Sequence, residues 1–220
     1  MCGRFVQLPL QFGSGLPADV EQALQATPEK YNLAPTQRAA VVLDDQHQMA
    51  VRRFRWGLVP PWCKDLKQTY STINARIETV AVKPAFRAAW QARRCVVPMR
   101  GYYEWCAENG LKQPYFLGLA DGSDLFAAAI WEPKHRLQRE DEDGSVCVIT
   151  QDAVDEAGRV HDRMPVFLPA ALIGEFMRAS SEEAMLILKA APIPPLTVRK
   201  VSRRVNAPRD DDPGLLDEVP

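Results

Sequence analysis

The sequence predicts a single α+β domain, dominated by curled, barrel-like antiparallel β-sheet with a few flanking helices. Short apolar runs rich in Val, Ile, Phe and Trp recur along the 220 residues, separated by Gly, Pro and Asp turns. Helix-like segments are few, and no repeat or linker divides the chain. A chain of this length can bury a sizeable core, so we expect one domain over residues 1–220.

Taken in order, the elements begin with a helix at 17–27 and a polar turn at 31–36, where Pro35 holds the preceding residue extended. Strands are predicted at 41–43, 49–56, 95–99, 115–119, 125–131, 146–150 and 197–205. Helices are predicted at 84–94, 170–178 and 181–190, the last with a capping box from Ser180 to Glu183. Residues 152–160 are ambiguous, and residues from about 207 to 220 form a loose acidic tail.

Composition restricts the class of protein. Apolar residues make up 46% and charged residues 25%, which is ordinary for a globular protein. No apolar run reaches the roughly 18–20 residues that span a bilayer, and the N-terminus lacks a signal-peptide pattern, so we expect a cytoplasmic location and no membrane partner. The five cysteines are scattered without zinc-ligand spacing, which predicts free thiols and no metal.

Charge is unevenly distributed along the chain. Residues 51–100 carry eleven Lys and Arg against two Asp and Glu, and aromatic residues are interleaved with them. Basic residues combined with stacking rings favour a groove for single-stranded nucleic acid, although such a block is also typical of a solvated face. Trp62, set between proline-rich turns, is either a core plug or an exposed stacking ring, and the sequence slightly favours the plug.

Cys2 stands where an aminopeptidase would expose it by removing Met1, since its side chain is small. The mature chain would then carry a thiol and a free amine on neighbouring carbons. Such an aminothiol traps aldehydes, because the amine forms an imine and the adjacent thiol closes a five-membered thiazolidine. The alternative is that Cys2 is an incidental residue of a frayed terminus.

Several motifs occur in a fixed order along the chain. They are Cys2-Gly3-Arg4-Phe5, Tyr31-Asn32-Leu33-Ala34-Pro35, Trp56-Gly57-Leu58-Val59-Pro60, Asn74-Ala75-Arg76-Ile77-Glu78-Thr79, Arg94-Cys95-Val96-Val97-Pro98, Gly101-Tyr102-Tyr103-Glu104-Trp105 and His161-Asp162-Arg163-Met164-Pro165. In these motifs, from Cys2 to about Asn206, the chain resembles the SRAP (SOS response-associated peptidase) family.

The resemblance implies a protein that binds single-stranded DNA and crosslinks itself to abasic sites through Cys2, protecting the lesion during the DNA damage response. The implied catalytic residues are Cys2, Asn74, Glu104 and His161. The implied DNA-binding residues are Arg4 and Arg76 on the phosphates, Trp62 near the bases, and Asn32 and Pro35. We expect a monomer without cofactor or metal that associates with the nucleoid when bound to DNA, and whose crosslink is suicidal or slowly reversible.

Each catalytic side chain suits a step of this chemistry. A carboxylate such as Glu104 can shuttle protons during imine formation, and burial beside Tyr102 and Trp105 would raise its pKa towards neutrality. In an extended segment, Tyr102 and Glu104 would share one face while Tyr103 and Trp105 share the other. The imidazole of His161 could protonate the sugar ring oxygen as the ring opens. The uncharged Asn74 is suited to orienting the cysteine amine or a sugar hydroxyl.

Two other functions fit the sequence. Cys2, activated by His161 and Glu104, could be the nucleophile of a peptidase or amidohydrolase, and autoproteolytic removal of a short leader would fit the family's name. A non-catalytic single-strand DNA-binding module, with Cys2 incidental, is the third possibility. Of the three functions, only crosslinking to abasic sites gives a stable covalent adduct with abasic DNA.

Overall fold

Two β-sheets form the body of the molecule in a computed structural model that describes residues 2–11, 13–108 and 110–219. The strands are β1 (Arg4–Gln7), β2 (Lys30–Leu33), β3 (Arg38–Asp45), β4 (Gln48–Trp56), β5 (Asn74–Arg76), β6 (Arg94–Met99), β7 (Gly101–Glu108), β8 (Leu111–Leu119), β9 (Leu125–Pro133), β10 (Gly144–Asp152), β11 (Arg163–Pro165) and β12 (Leu196–Lys200). The α-helices are α1 (Ala18–Gln25), α2 (Arg87–Ala92), α3 (Asp155–Gly158), α4 (Ala170–Arg178) and α5 (Ser181–Ala190), and short 3-10 helices cover Leu66–Thr72, Arg203–Asn206 and Pro213–Leu216.

The first sheet has the strand order β12-β8-β7-β1-β2. Its longest pairing is the β7–β8 hairpin, and β1 lies between β7 and β2. The register of β1 with β7 begins at Arg4 opposite Tyr103, so β7 continues beyond the start of β1. The first residues after that point are Glu104 and Trp105, which therefore stand at the end of the sheet next to the N-terminus.

The second sheet is organised around β10. One edge of β10 pairs in parallel with β4 and β5, and the other edge pairs antiparallel with β9 and β11. The path β10-β4-β3-β6-β9 returns to β10, so the sheet is curled, as the sequence predicts. Two of the pairings of β10 are parallel, and the sheet is curled without forming a barrel.

The core packs in three clusters. Helices α1, α2, α4 and α5 cover one face of the second sheet, with Trp90 and Phe176 among the buried contacts. A second cluster fills the space between the two sheets and includes Cys2, Phe5 and Trp56. A third, smaller cluster joins the first sheet to the C-terminal segment, which is the chain after β12 (residues 201–219). Cys2 therefore belongs to the core between the sheets, with its side chain fully buried.

The aromatic residues of the basic block serve mainly the core. Phe54, Trp56, Phe86 and Trp90 are all buried, so the interpretation of the interleaved rings as stacking surfaces is wrong for them. Trp62 is 56% exposed, and the preference for a core plug at this position is therefore also wrong. The sequence around Trp62 does not distinguish the two placements, because a tryptophan between prolines has the same local pattern whether its ring is buried or exposed.

Several local predictions need correction. The segment expected to be a polar turn at 31–36 begins as strand β2, and the helix expected at 84–94 is confined to Arg87–Ala92. The last strand ends at Lys200 rather than 205, and the ambiguous stretch contains the short helix α3. The capping box from Ser180 to Glu183 is confirmed. None of the helices in the described ranges is long and apolar enough to cross a membrane.

The C-terminal segment is packed rather than loose, contrary to the sequence prediction. Leu215 is fully buried, and the Asp211 carboxylate accepts hydrogen bonds from the backbone N–H groups of Tyr31 (2.6 Å) and Asn32 (3.1 Å). Asp211 also pairs with the Lys30 ammonium at 2.7 Å. These contacts cover the outer edge of β2, which would otherwise present unpaired backbone groups. Asp211, one of the acidic residues that predicted a solvated tail, is instead a hydrogen-bond acceptor for backbone N–H groups.

We therefore expect Asp211→Ala to destabilise the fold by about 1–3 kcal/mol, because two backbone donors lose their acceptor. Urea unfolding followed by circular dichroism measures this effect. The matched control is Glu218→Ala, an exposed carboxylate on the same segment, which should change stability by less than about 0.5 kcal/mol. If the free energy of unfolding of Asp211→Ala were as high as that of Glu218→Ala, the C-terminal segment would be only loosely attached to β2.

Candidate active site

A cleft of about 450 Å³ opens at the end of the first sheet, where β7 runs past the start of β1. Its lining residues are Arg4, Glu104, Trp105, Lys112, His161 and Asn206. Three of these were singled out in the sequence, namely Arg4, Glu104 and His161. The fold therefore brings together, at one opening, residues from the first strand, the β7–β8 hairpin, the loop before β11 and the C-terminal segment.

Cys2 is fully buried beside this cleft. The side-chain amide of Asn74 donates to the Cys2 carbonyl oxygen at 2.7 Å, and the Cys2 thiol lies 3.9 Å from the Arg4 carbonyl oxygen. Burial raises the pKa of the Cys2 thiol, and the negative charge of Glu104 raises it further. The thiol is therefore protonated at neutral pH, and any reaction at sulfur needs a group that accepts its proton. The predicted removal of Met1 concerns a residue outside the described ranges.

Asn74 comes to Cys2 from the second sheet. It opens the short strand β5, which pairs in parallel with β10, opposite Val148. Asn74 Oδ1 and the Tyr102 hydroxyl are both buried, and within the described ranges neither has a hydrogen-bond partner. A buried polar atom without a partner is costly, about 1–3 kcal/mol, and is retained mostly where function requires it. Beside Cys2 these atoms offer an acceptor and a hydroxyl to a ligand.

Glu104 occupies the face of β7 opposite to that of Trp105, as the alternation predicts. Tyr102 belongs to the cluster between the sheets, while Tyr103 and Trp105 belong to the cluster with the C-terminal segment. Glu104 is only 3% exposed, and this burial raises the pKa of its carboxyl group, while the positive charge of His161 acts in the opposite direction. The predicted direction of the shift is confirmed, and the carboxyl group is suited to exchanging protons.

Gly101, the first residue of β7, is needed for close strand packing. A Cβ atom added there would lie 2.4 Å from both the Leu117 carbonyl oxygen and the Phe116 ring. This glycine has no positive φ, so a left-handed turn does not require it. Its role is to let β8 approach β7 and so to fix the position of Glu104.

His161 lies in the loop between α3 and β11, with its side chain 30% exposed at the cleft. Its Nδ1 accepts a hydrogen bond from the Arg163 backbone N–H at 3.0 Å, and the Asp162 carboxylate lies 2.6 Å from the same nitrogen. One nitrogen cannot accept and donate at once. The first contact suits a ring without a proton on Nδ1, and the second suits a ring that carries one there.

Arg163 braces the loop that carries His161. Its guanidinium donates to both carboxylate oxygens of Glu78 at 2.8 and 3.0 Å, and to the Thr150 carbonyl oxygen at 2.7 Å. Glu78 follows β5 in the chain, so this bidentate pair connects the segment after Asn74 to the segment after His161. The two candidate catalytic residues are thereby held on one connected framework.

The predicted DNA-binding residues are placed in different ways. Arg4 Nη1 donates to Asn32 Oδ1 (2.8 Å) and to the Val205 carbonyl oxygen (2.7 Å), and Asn32 is 1% exposed. Asn32 therefore holds Arg4 and the C-terminal segment, and it does not face solvent. Pro35 is partly exposed, and Arg76 and Trp62 are exposed. Arg76 and Trp62 do not line the cleft itself.

Three cleft residues were not assigned to the site from the sequence: Trp105, Lys112 and Asn206. Trp105 belongs to the Gly101–Trp105 motif, in which Glu104 carries the more evident chemical signal. Lys112 and Asn206 carry no local signal, since they reach the cleft through the hairpin register and the C-terminal packing. In the described part of the chain, no group of three His, Cys, Asp or Glu side chains could hold a metal ion.

Comparison with known proteins gives relatives over the full length of the chain. Abasic site processing protein YoqW of Bacillus subtilis is 31% identical over 99% of both chains, and abasic site processing protein YedK of Escherichia coli is 30% identical over 100% of both. Abasic site processing protein HMCES of Xenopus tropicalis is 28% identical, over 84% of this chain and 65% of its own.

Solved structures confirm the fold. A protein from Bacteroides thetaiotaomicron superposes with a TM-score of 0.77 at 23% identity over 100% of both chains. A phage-related protein from Bordetella bronchiseptica gives 0.69 at 26% identity, over 92% of this chain and 95% of its own. The family model for SOS response associated peptidase (SRAP) matches residues 1–208, and the chain therefore belongs to the SRAP family.

Proposed function

We propose that this protein processes abasic sites in single-stranded DNA, forming a covalent thiazolidine crosslink through Cys2 after Met1 is removed. The crosslink protects the lesion, and the protein acts as a monomer without metal or cofactor. The observation that carries the proposal is the contact of Asn74 with buried Cys2, next to Glu104 and a cleft bounded by His161. The printed names of YoqW, YedK and HMCES, all abasic site processing proteins, support it.

Reaction begins with the sugar. A deoxyribose without its base exists partly as a ring-opened aldehyde. As the ring opens, His161 donates a proton to the ring oxygen, and the C1 hydroxyl gives its own proton to water as it becomes the carbonyl. The amine of Cys2 adds to the aldehyde carbon to give a carbinolamine, which loses water to give an imine. The two amine protons pass in turn through Glu104 to the aldehyde oxygen, the first to form the carbinolamine hydroxyl and the second to release it as water, a role that the raised pKa of Glu104 favours.

Ring closure follows at the same carbon. The Cys2 sulfur adds to the imine carbon, its proton passes to Glu104, and the imine nitrogen gains a proton, so that one water has been lost overall. The sulfur is held within reach of the imine carbon by its own chain, which compensates for a thiol that is protonated at neutral pH. Asn74 fixes the Cys2 backbone, and its Oδ1, which has no hydrogen-bond partner among the described residues, can accept from the amine or a sugar hydroxyl.

Binding to unpaired DNA depends on exposed cations and rings. Arg76 is exposed on β5, next to Asn74, and can reach a phosphate beside the lesion. The exposed ring of Trp62 can stack only on unpaired bases, which favours single strands over duplex. Arg4 contributes positive charge to the cleft, although its Nη1 is engaged by Asn32 and Val205.

The competing function is amide hydrolysis with Cys2 as nucleophile, supported by the same grouping of Cys2, Glu104 and His161. Cysteine hydrolases work with a thiolate whose pKa is lowered, whereas burial raises the pKa of this thiol. A buried thiol suits capture of a small electrophile already tethered by an imine better than attack on a peptide. The proposal of abasic-site crosslinking is therefore favoured.

Cys2→Ala should abolish the covalent adduct with an abasic single-stranded oligonucleotide while leaving non-covalent affinity within about threefold, because the thiol does chemistry and the cations supply affinity. Intact-mass spectrometry of wild type and variant detects the adduct, and fluorescence anisotropy gives the affinity. Cys2→Ala and Cys2→Ser both keep the α-amine once Met1 is removed, so either variant should give at most a weaker, reducible imine. A heat-stable adduct of unchanged type in the alanine variant would refute the thiazolidine mechanism.

Glu104→Gln keeps the shape of the side chain but removes proton exchange, so crosslinking to abasic DNA should slow by about 10²–10⁴-fold. Since burial raises the pKa of Glu104, the ionised base is lost as pH falls through that raised value. The wild-type rate should therefore fall at low pH, and the variant should lack this pH-dependent limb. Single-turnover rates across pH 4–8 provide the measurement.

The same substitution provides a control on stability. A raised folded-state pKa means that the charged carboxylate is disfavoured by folding, a cost that is absent below the unfolded pKa of about 4.3 and complete above the folded pKa. Glu104→Gln should therefore be more stable than wild type at pH 8 and nearly equal to it at pH 4. An unchanged crosslinking rate in this variant would mean that Cys2 acts without a carboxylate.

His161→Ala should slow crosslinking to closed-ring abasic DNA much more than to a synthetic oligonucleotide that carries a linear aldehyde, because only the first substrate needs ring opening. The ratio of the two rates within one variant is the measurement, so differences in protein quality cancel. Equal slowing on both substrates would remove the ring-opening role from His161 and leave it a role in imine formation.

A further inference from the structure

We propose that Trp105, Lys112 and Asn206 form a nucleotide subsite on the wall of the cleft, where the Trp105 ring stacks on an unpaired base and Lys112 meets its phosphate. This inference rests on the proposed function, since it specifies how the single strand lies at the site. It assigns stacking at the cleft to Trp105, a ring that the sequence did not assign, whereas Trp62 does not line the cleft.

Trp105 presents an ordered, partly exposed ring to the cleft. Its indole N–H donates to Asn206 Oδ1 at 2.7 Å, which fixes the orientation of the ring. Among the described residues that line the cleft, it is the aromatic one. A fixed and partly exposed indole offers a stacking surface for a base, and it loses little side-chain entropy on binding.

Positive charge flanks this ring. Lys112 is exposed and lies opposite Ala107 in the β7–β8 hairpin, so it is a diagonal neighbour of Trp105 on the same face of the sheet. The Arg4 guanidinium lies 6.0 Å from the centre of the Trp105 ring. An aromatic ring with two cations nearby matches a nucleotide, which offers a flat base and a phosphate.

The C-terminal segment holds the subsite in place. Trp105 packs against the cluster formed by Tyr103, Val205 and Leu215. The Asn32 amide donates to the Val205 and Ala207 carbonyl oxygens at 3.3 and 3.1 Å, on either side of Asn206. The residue that orients the ring is thereby anchored to strand β2, so the subsite is formed before DNA arrives.

The test measures non-covalent affinity for an undamaged fluorescent single-stranded oligonucleotide, with every variant carrying Cys2→Ala. Trp105→Leu should weaken binding by about 5-fold to 100-fold, as expected for the loss of one stacked base. Trp105→Phe keeps a ring and should stay within about threefold. The matched control is Trp131→Leu, a partly exposed tryptophan in the second sheet outside the cleft, which should leave affinity unchanged.

Lys112→Ala tests the subsite without touching the core, because Lys112 is exposed. It should weaken binding and reduce the slope of log affinity against log salt by about 0.7, the contribution of one phosphate contact on a single strand. Lys189→Ala, at an exposed position on α5, is the control and should leave the slope unchanged.

Unchanged affinity in Trp105→Leu and an unchanged slope in Lys112→Ala would overturn the subsite. If Trp105→Leu fails to unfold cooperatively, Lys112→Ala and Trp105→Phe decide the question. A reduced salt slope in Lys112→Ala together with preserved affinity in Trp105→Phe supports the subsite. Crosslinking of the Cys2-intact protein to abasic DNA is measured separately. Failure of that reaction would refute the proposed function, whereas the affinities for undamaged DNA still decide whether the subsite exists.

Discussion

The site depends on the burial of the first strand between its neighbours. A chain terminus usually frays, but β1 is paired on both edges, with β7 on one side and β2 on the other. This pairing carries Cys2 into the core between the two sheets, where Asn74 holds its carbonyl oxygen from the opposite sheet. A residue two positions from the start of the chain thus has a fixed position, which is the precondition for oriented chemistry.

Burial also determines the electrostatics. In a site that excludes water, both the Cys2 thiol and the Glu104 carboxyl group have raised pKa values, because each charged form is poorly solvated there. The negative charge of Glu104 raises the pKa of the Cys2 thiol further, so the site favours proton exchange over a stable thiolate. Asn74 Oδ1 and the Tyr102 hydroxyl are also buried there, and neither has a hydrogen-bond partner in the part of the chain that the structure describes. The bidentate contact between Arg163 and Glu78 is the type of interaction that keeps such a site from relaxing.

Much of the site could be predicted from sequence, because its chemistry resides in short motifs. The alternating faces of β7 and the grouping of Cys2 with Asn74 follow from local order and from family resemblance. The buried rings of the basic block and the packed C-terminal segment could not be predicted in this way. Asp211 bonds to the backbone of Tyr31, 180 residues away in the chain, and no local composition signals such a contact. A solvent-exposed run of aspartates and a packed one have the same local sequence, so the sequence alone cannot distinguish them.

The two parts of the cleft suggest how the proposed reaction would select its substrate. Cys2 and Glu104 are buried, whereas Trp105 and Lys112 lie at the opening. An intact nucleotide carries its base, which is wide and flat and finds its partner at the Trp105 ring. A sugar without a base lacks that anchor and is small enough to approach the buried thiol. On this proposal selectivity follows from depth, because the ring that would recognise a base lines the cleft, whereas the thiol that would react with the aldehyde is buried beside it.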